Sequence, residues 1–238
     1  MQSAGQPVDK NGQTIERMFS AVAPRYDLLN RLLSANLDQR WRRQAAAALT
    51  LPNGAPVLDV CAGTGDQALA LRKRTSNVWA ADFSVPMLEI ANRKFRRSEA
   101  PFPAGFASDT LRLPLPSKSL GAVTVSFGLR NVADLDAALG EMFRVLQAEG
   151  EVAIREFALP RSQFLRKPYL FYFRNILPRI GAWISPRGSA YTYLPDSVMQ
   201  FPQREQFTRR MEAVGFRDAT WHDLTGGIVC LYTGRRDR

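Results

Sequence analysis

The sequence predicts one α/β domain built on a mostly parallel, doubly wound sheet of seven strands. From Pro56 onward, short apolar runs alternate with helical segments, which is the pattern of a parallel sheet covered by helices on both faces. The first of these runs leads into a turn of small residues and then into a helix. The chain closes with a helix and two β-like segments, 216–221 and 227–233, which predict an antiparallel pair.

The predicted elements divide the chain into four parts. Residues 1–52 form a cap of N-terminal helices, and residues 53–157 form a core of five strands and three crossover helices. Residues 158–203 are rich in proline and aromatic side chains and predict an irregular insertion or cap, aromatic and partly helical. Residues 204–238 hold a last helix and the β pair. Core strands are predicted at 56–60, 77–82, 105–108, 121–127 and 150–157, and core helices at 67–74, 85–97 and 135–146.

Length and composition agree with a single domain. The chain has 238 residues, 45% of them hydrophobic, which is enough for one α/β core and an extension. Cys61 and Cys230 stand far apart and suit neither a disulfide framework nor a metal pair, so we expect the cytosol and no metal. The N-terminus lacks the pattern of a secretion signal, and no run approaches the roughly 18 apolar residues of a membrane span.

The most informative local segment is the turn after the first predicted strand. Gly63 and Gly65 allow the backbone to turn tightly and to approach a ligand closely. With Ala68, the same spacing also satisfies the dinucleotide-binding pattern. Asp66 stands at the start of the helix, where a pyrophosphate would meet a negative charge and a ligand ammonium group would be favoured, although Asp66 could equally be a helix cap.

Polar residues also follow the next three predicted strands. Asp82 closes the second strand, where a carboxylate can accept hydrogen bonds from both ribose hydroxyls of an adenosine group. Asp109 and Thr110 follow the third strand, beside the place for an adenine amine, and Ser126 ends the fourth. Open α/β sheets bind ligands at these carboxyl ends. Together with Asp66, these positions favour S-adenosylmethionine over a pyrophosphate cofactor.

Further segments form a more specific pattern. They include Tyr26-Asp27-Leu28-Leu29-Asn30, Trp41, Ser126-Phe127-Gly128-Leu129-Arg130-Asn131-Val132, Glu156-Phe157 and Leu177-Pro178-Arg179-Ile180-Gly181. In these segments, and over about 18–234, the sequence resembles the ubiquinone/menaquinone biosynthesis C-methyltransferase family, UbiE/MenG. The chain departs from that family at Leu29, usually methionine, at Asp38, usually histidine, and at 147–150, usually a Lys-Pro-Gly-Gly turn.

The resemblance implies a class I, Rossmann-like S-adenosylmethionine methyltransferase. Its acceptor would be a ring carbon of a prenylated hydroquinone, either demethylmenaquinol, which we favour, or a ubiquinol precursor. The alternatives are an RNA or other small-molecule methyltransferase and, outside the enzymes, a non-catalytic protein that binds an adenosyl ligand. The predicted cofactor contacts are Asp59, Gly63, Thr64, Gly65, Asp82, Phe83, Asp109, Thr110 and Ser126.

The chemistry of such a reaction singles out Arg130. A hydroquinone hydroxyl resembles tyrosine, with a pKa of roughly 10, and a neighbouring guanidinium favours the reactive phenolate. Arginine is not a base, so the proton would leave through a water held by Asn131 or through a carboxylate such as Asp27. Tyr26 and Asp27 would help to shape the acceptor pocket. His222, the single histidine, is expected to be a packed residue of a late strand.

Charge suggests where the protein works. The net charge is +10, and no acidic residue lies between Glu156 and Asp196, where cations alternate with aromatic residues. This mixture predicts an interfacial segment that contacts anionic lipid at the inner face of the cell membrane. It could also bind single-stranded nucleic acid, but no base-pocket motif such as Asn-Pro-Pro-Tyr ends the fourth strand, so we expect no nucleic acid partner. A lid or homodimer surface is the third interpretation. The cations are Arg161, Arg166, Lys167, Arg174, Arg179 and Arg187.

Overall fold

A seven-stranded sheet organises the chain in the computed structural model, which describes residues 9–51, 54–98, 104–176, 179 and 190–237. The strands are β1 (Val57–Val60), β2 (Val78–Asp82), β3 (Ala104–Ala107), β4 (Leu120–Ser126), β5 (Leu146–Phe157), β6 (Arg217–Leu224) and β7 (Val229–Arg235). Their order across the sheet is β3-β2-β1-β4-β5-β7-β6. The first five strands run parallel, and β7 pairs antiparallel with both β5 and β6. The predicted fold class is confirmed.

Helices cover the sheet and form the cap and the insertion. They are α1 (Gly12–Val22), α2 (Tyr26–Leu33), α3 (Leu37–Ala47), α4 (Asp66–Arg72), α5 (Val85–Arg97), α6 (Leu135–Val145), α7 (Gln163–Phe171), α8 (Ala190–Gln200) and α9 (Glu205–Val214). Most bounds lie within two residues of the predicted ones. The largest difference in the core is β5, which begins at Leu146 directly after α6 instead of at residue 150.

The two faces of the sheet are buried in separate hydrophobic clusters. Leu58 and Val60 of β1 point into the cluster that contains α6 and α9, whereas Val57 packs with α3, α4 and α5 on the other face. Alternate residues of a strand point to opposite faces, so every residue of β1 is buried. The sequence of the central strand, β1, is therefore apolar except for Asp59.

Side-chain hydrogen bonds cap the first turns of α5 and α6. Ser84 caps α5 by accepting a hydrogen bond from the Met87 N–H, and Asp134 caps α6 by accepting one from the Ala137 N–H. The α5 cap comes two residues after the last residue of β2. A capped helix so close to a strand end holds the intervening backbone in place, and Asp82 is part of that backbone.

The described part of the insertion is more regular than the sequence predicted. Helix α7 continues into a π-helical turn, Tyr172–Ile176, and α8 follows later, even though each helix contains a proline. The helical, aromatic character predicted for the insertion is confirmed for these residues, whereas the irregularity expected from the prolines is not seen among them, because Pro168 and Pro195 lie within the helices. Phe173 packs with Val22 and Leu29 of the N-terminal helices. Residues 177–178 and 180–189, with Arg187 and part of the family-like motif at 177–181, lie outside the described residues.

None of the described helices is long and apolar enough to span a bilayer.

Candidate active site

Two adjoining cavities open at the carboxyl ends of β1, β2 and β4. One, of about 240 Å³, lies over the strand ends and is called the strand-end cavity. The other, of about 280 Å³, lies between the N-terminal helices and the insertion and is called the aromatic cavity. Phe19, Tyr26 and Phe127 line both cavities. Ligands in the two cavities would therefore meet at a shared wall.

Most of the predicted cofactor contacts lie on the strand-end cavity. Those that line it are Gly63, Asp82, Phe83, Asp109, Thr110 and Ser126, together with the predicted catalytic residues Tyr26 and Asn131. Sequence reasoning missed the opposite wall, which is formed by α1 and the residues before it. The wall residues are Lys10, Gly12, Ile15, Glu16 and Phe19.

Asp82 is the most firmly held polar group of the strand-end cavity. Its Oδ2 accepts a hydrogen bond from the Gly63 N–H at 2.7 Å, and its Oδ1 accepts one from the Ser84 N–H at 2.8 Å. Burial raises the pKa of the carboxyl, and these backbone bonds oppose that rise. Each carboxylate oxygen has a further lone pair. Gly63 has a φ of +55°, in the region that favours glycine.

The remaining residues of the strand-end cavity present both fixed and free polar groups. Asp109 Oδ1 accepts the Leu111 N–H at 2.9 Å, which closes an Asx turn after β3. Thr110 Oγ1 lies 3.2 Å from Cys61 Sγ. Ser126 Oγ is buried and has no hydrogen-bond partner among the described residues. A buried hydroxyl without a partner is costly, so this atom marks a place where a ligand can bind.

Three predicted cofactor contacts are not among the described residues that line this cavity. Asp59 is buried in the sheet, and its Oδ1 accepts a hydrogen bond from Thr124 Oγ1 at 2.9 Å. Burial raises the pKa of the Asp59 carboxyl to about 7. Thr64 Oγ1 donates to a carboxylate of the N-terminal cap. Gly65 has a φ of +82°, and a Cβ there would lie 2.6 Å from the Phe95 ring. Thr64 and Gly65 form part of the turn after β1, and the cofactor contacts of these two residues and of Asp59 stay predictions.

Asp27 and Asp66 share a cation and take part in ion pairs between the cap and the core. Lys94 Nζ lies 2.5 Å from Asp27 Oδ2 and 2.6 Å from Asp66 Oδ1. Arg42 Nη2 forms two further ion pairs, with Asp66 Oδ2 at 3.7 Å and with Asp38 Oδ2 at 3.2 Å. Burial raises the pKa of Asp66, but the charges of Arg42 and Lys94 outweigh it and hold the pKa below its usual value. Neither Asp27 nor Asp66 lines either cavity along its described walls. Both carboxylates fasten the glycine turn to the cap, and the roles of Asp27 as a proton acceptor and of Asp66 as a ligand contact stay predictions.

Phe127 forms the wall between the cavities. It stacks on Phe157 with ring centroids 4.2 Å apart, and Trp41 meets it edge-on at 6.2 Å. The Arg155 guanidinium lies 4.7 Å from the centre of the Phe127 ring. The φ of Phe127 is +60°, an unusual conformation for a bulky residue. Such strain persists only where the surroundings enforce it, and it clusters at functional sites.

Arg130 lines the aromatic cavity and is paired there with a carboxylate, which the sequence analysis did not foresee. Its Nη1 lies 3.0 Å from Glu156 Oε2, and Glu156 Oε1 accepts the Arg130 backbone N–H at 3.2 Å. Both side chains are buried, and Nη1 also donates to the Phe127 carbonyl. The Nε of Arg130 has no partner among the described residues. The pair is neutral overall, and the Nε–H of Arg130 is left to donate.

Asn131 and Tyr26 lie at the junction of the cavities. Asn131 Nδ2 donates to the Phe127 carbonyl at 3.4 Å, and Asn131 Oδ1 is buried with no partner among the residues described. Burial raises the pKa of Tyr26, opposed by a hydrogen bond with Asn30 and by the charge of Arg130. Arg130 and Asn131 thus also have a structural role, because both side chains donate to the Phe127 carbonyl and so hold the strained turn at Phe127.

Sequence reasoning missed several residues of the aromatic cavity. Tyr169, Tyr193 and Asp38 line it, and Glu156 pairs with Arg130 behind it. The Glu156-Phe157 motif at the end of β5 was a signal for Glu156, but nothing in the sequence indicated the tyrosines. His222 is exposed on the edge strand β6, so the expectation that it packs was wrong. Among the described residues, no group of three histidine, cysteine or acidic side chains could hold a metal ion.

Known proteins resemble this chain over nearly its whole length. The ubiE/COQ5 methyltransferase family matches residues 8–236. The "Ubiquinone/menaquinone biosynthesis C-methyltransferase UbiE" of Geobacter sulfurreducens is 42% identical over 95% of this chain and 90% of that protein. The "Demethylmenaquinone methyltransferase" of Deinococcus radiodurans is 44% identical over 97% and 95%. A solved SAM-dependent methyltransferase of Thermotoga maritima shares the fold, with a TM-score of 0.64 at 17% identity over 94% of this chain and 100% of that one.

Proposed function

The chain belongs to the ubiE/COQ5 methyltransferase family, and from that premise we propose that it methylates a ring carbon of a prenylated hydroquinone with S-adenosylmethionine as the methyl donor. Demethylmenaquinol is the acceptor we favour, which makes menaquinone biosynthesis the process. The observation that carries the proposal is the pair of cavities: a polar one over the strand ends and an aromatic one that shares Phe127 and Tyr26 with it.

The strand-end cavity suits S-adenosylmethionine. The lone pairs of Asp82 can accept the ribose hydroxyls, and the turn of Asp109 and Thr110 offers polar groups to the adenine. Ser126 Oγ and Asn131 Oδ1 are free to bind further polar atoms. Glu16, Asp82 and Asp109 outnumber Lys10 on the walls, which favours a ligand that carries a positive charge. The bound cofactor supplies an electrophilic methyl group.

The aromatic cavity suits the acceptor ring. Aromatic walls bind a flat ring through its faces and edges. Arg130 Nε can donate a hydrogen bond to a ring oxygen, which stabilises the ionised phenol and makes the ring carbon electron-rich. Asn131 Oδ1, at the junction, can hold a water that takes the phenolic proton. Positioning the ring in line with the methyl, about 3 Å away, is the main task left to the protein.

Exposed apolar side chains on α2 and α7, two helices that also line the aromatic cavity, support a contact with lipid and are called its rim. Leu28 and Leu32 of α2 are 54% and 58% exposed, and Phe164 and Phe171 of α7 are 88% and 60% exposed. The two helices are linked where Tyr172 donates a hydrogen bond to the Leu33 carbonyl at 3.2 Å. Exposed apolar surface of this kind marks an interaction site.

Charge selects an anionic membrane as the partner of this rim. Arg161, Arg166, Lys167 and Arg174 are exposed in or beside α7, and no acidic residue lies between Glu156 and Asp196. Apolar side chains that enter the acyl region beside cations that meet headgroups give reversible, salt-sensitive binding. A prenyl tail could then remain in the bilayer while its ring enters the cavity. We propose that the protein works in the cytoplasm, on the inner face of the cell membrane.

Two measurements test the proposal. The protein is incubated with methyl-labelled S-adenosylmethionine and either reduced demethylmenaquinone or bulk transfer RNA, and label is expected in the quinone only. Label confined to RNA, or cofactor binding without transfer to any quinol, would contradict it.

The second measurement is flotation with liposomes. Binding to anionic vesicles at low salt and release at high salt is expected, and Phe164→Ser with Phe171→Ser should weaken it more than Val85→Ser, an exposed apolar position on α5. Equal binding to neutral vesicles, or a stable dimer that buries the rim and binds no vesicle, would contradict the membrane contact.

A further inference from the structure

Two tyrosine hydroxyls of the aromatic cavity have no hydrogen-bond partner. Tyr169 comes from α7 and Tyr193 from α8, and both line the cavity with buried hydroxyls that meet no donor or acceptor among the described residues. Buried hydroxyls are almost always paired, because an unpaired one costs free energy. Both orphan hydroxyls belong to the insertion and to the same cavity.

The other tyrosines whose side chains are described are paired. Tyr172 lines the same cavity, but its hydroxyl donates to the Leu33 carbonyl at 3.2 Å. The Tyr232 hydroxyl accepts the Arg204 N–H at 2.9 Å, and Tyr26 bonds to Asn30. The missing partners at Tyr169 and Tyr193 are therefore specific to their positions and not a general property of tyrosines in this protein.

Both free hydroxyls lie within the electrostatic reach of Arg130. Its positive charge lowers the pKa of Tyr169 and of Tyr193, although burial is the larger effect and raises both, that of Tyr193 to about 12. At neutral pH both side chains therefore keep their protons and can donate. A protonated phenol and the free Arg130 Nε form a set of donors around one cavity.

We propose that the Tyr169 and Tyr193 hydroxyls donate hydrogen bonds to the ring oxygens of the acceptor, so that the insertion orients the ring that Arg130 activates. The inference rests on the proposed function, because it needs an aromatic acceptor with oxygen substituents in this cavity. A hydrogen bond donated to an ionised oxygen favours the ionised form. These two tyrosines would therefore lower the phenol pKa of the bound acceptor as well as position its ring.

Because the Tyr169 and Tyr193 hydroxyls have no partner among the described residues, their removal should affect the melting temperature differently from the removal of a paired hydroxyl. Tyr→Phe removes a buried hydroxyl that has no partner, so Tyr169→Phe and Tyr193→Phe should keep or raise the melting temperature of the free protein. The same change at Tyr172 removes a bond that exists, so Tyr172→Phe should lower the melting temperature. A merely structural role for Tyr169 or Tyr193 would give the pattern of Tyr172.

The experiment measures steady-state methyl transfer to reduced demethylmenaquinone by the full chain, with the three single variants and wild type. Each of Tyr169→Phe and Tyr193→Phe should lower kcat/KM for the acceptor by about 2- to 13-fold, which corresponds to one hydrogen bond of about 0.5–1.5 kcal/mol. Their Kd for S-adenosylmethionine should match that of wild type, and the acid limb of the pH profile of kcat, which reports the bound acceptor, should move to higher pH. Tyr172→Phe should change kcat/KM less than either.

The outcomes separate the two proposals. Wild type that methylates no quinol would refute the proposed function. Active wild type with Tyr169→Phe and Tyr193→Phe variants of unchanged kcat/KM, or with melting temperatures that fall as that of Tyr172→Phe does, would overturn the assignment of these hydroxyls while leaving the proposed function intact.

Discussion

Replacing Glu156 by glutamine tests how the buried ion pair sets the chemistry of the aromatic cavity. Glu156 is fully buried and accepts hydrogen bonds from the backbone and the Nη1 of Arg130 and from the Phe157 N–H. Glutamine keeps the shape but turns an NH₂ group toward donors and leaves the Arg130 charge unpaired. Breaking a buried pair costs about 3–5 kcal/mol, and at about 2–4 °C per kcal/mol for a chain of this size the melting temperature should fall by about 6–20 °C.

The same substitution should move the pH dependence of the reaction. Without the carboxylate, the Arg130 cation acts unopposed on the acceptor hydroxyl and lowers its pKa. The acid limb of the pH profile of kcat should therefore shift to lower pH, even though the protein is less stable. Urea denaturation gives the free energy of unfolding, and kcat is measured from low to high pH at a temperature at which both proteins are folded.

Asp136→Asn is the matched control for Glu156→Gln. Asp136 pairs with Arg210 at 2.8 Å on the surface, with side chains 57% and 47% exposed, and exposed pairs contribute about 0–1 kcal/mol. If both variants lost the same stability, or if Glu156→Gln left the pH profile in place, the account of a buried pair that tempers Arg130 would be refuted.

Three further predictions concern the cofactor turn. Asp82→Asn should weaken S-adenosylmethionine binding by about 10- to 150-fold, since hydrogen bonds to charged groups contribute about 1.5–3 kcal/mol; calorimetry that finds an unchanged Kd would contradict the role of Asp82. Gly65→Ala should destabilise the protein by about 1–3 kcal/mol, because its Cβ meets Phe95 at 2.6 Å and the φ is +82°, whereas Gly140→Ala on α6, where a Cβ meets nothing within 4 Å, should stabilise it. Asp59 has a folded pKa of about 7 against a usual value of 3.8, so the protonated carboxyl contributes stability at low pH that is lost as pH rises toward 7. In Asp59→Asn this loss of stability should disappear, which unfolding curves at several pH values would show. A free energy of unfolding that falls with pH as steeply as in wild type would contradict it.

The sequence predicted the strand ends well because local signals determine them. Helix α5 was predicted with the bounds that the structure shows. Ser84 and Pro86 mark its start, and apolar residues at helical spacing continue to its end at residue 97. The glycine turn and the carboxyl ends of the strands then place Asp82, Asp109 and Ser126 on one cavity without any knowledge of tertiary contacts.

The roles that were missed depend on contacts between distant segments. Lys94 comes from α5 and reaches Asp27 of the cap and Asp66 of α4, and no local pattern shows that the two carboxylates share a cation. Likewise Tyr169 and Tyr193 reach the aromatic cavity only because the insertion folds as helices against the N-terminal cap. Propensity alone places proline in loops, so the sequence did not show that α7 and α8 would each continue through a proline.

The central claim is that a methyl group passes from a donor in the strand-end cavity to a ring carbon in the aromatic cavity. The most direct test uses S-adenosylmethionine with a ¹³C-labelled methyl group, reduced demethylmenaquinone and the purified protein, followed by carbon NMR of the extracted quinone. We expect label in a methyl group bonded to a ring carbon, and at limiting cofactor the label should accumulate about 10- to 150-fold more slowly when Asp82→Asn replaces wild type. Label in a methoxy group, or no label in the quinone, would contradict it.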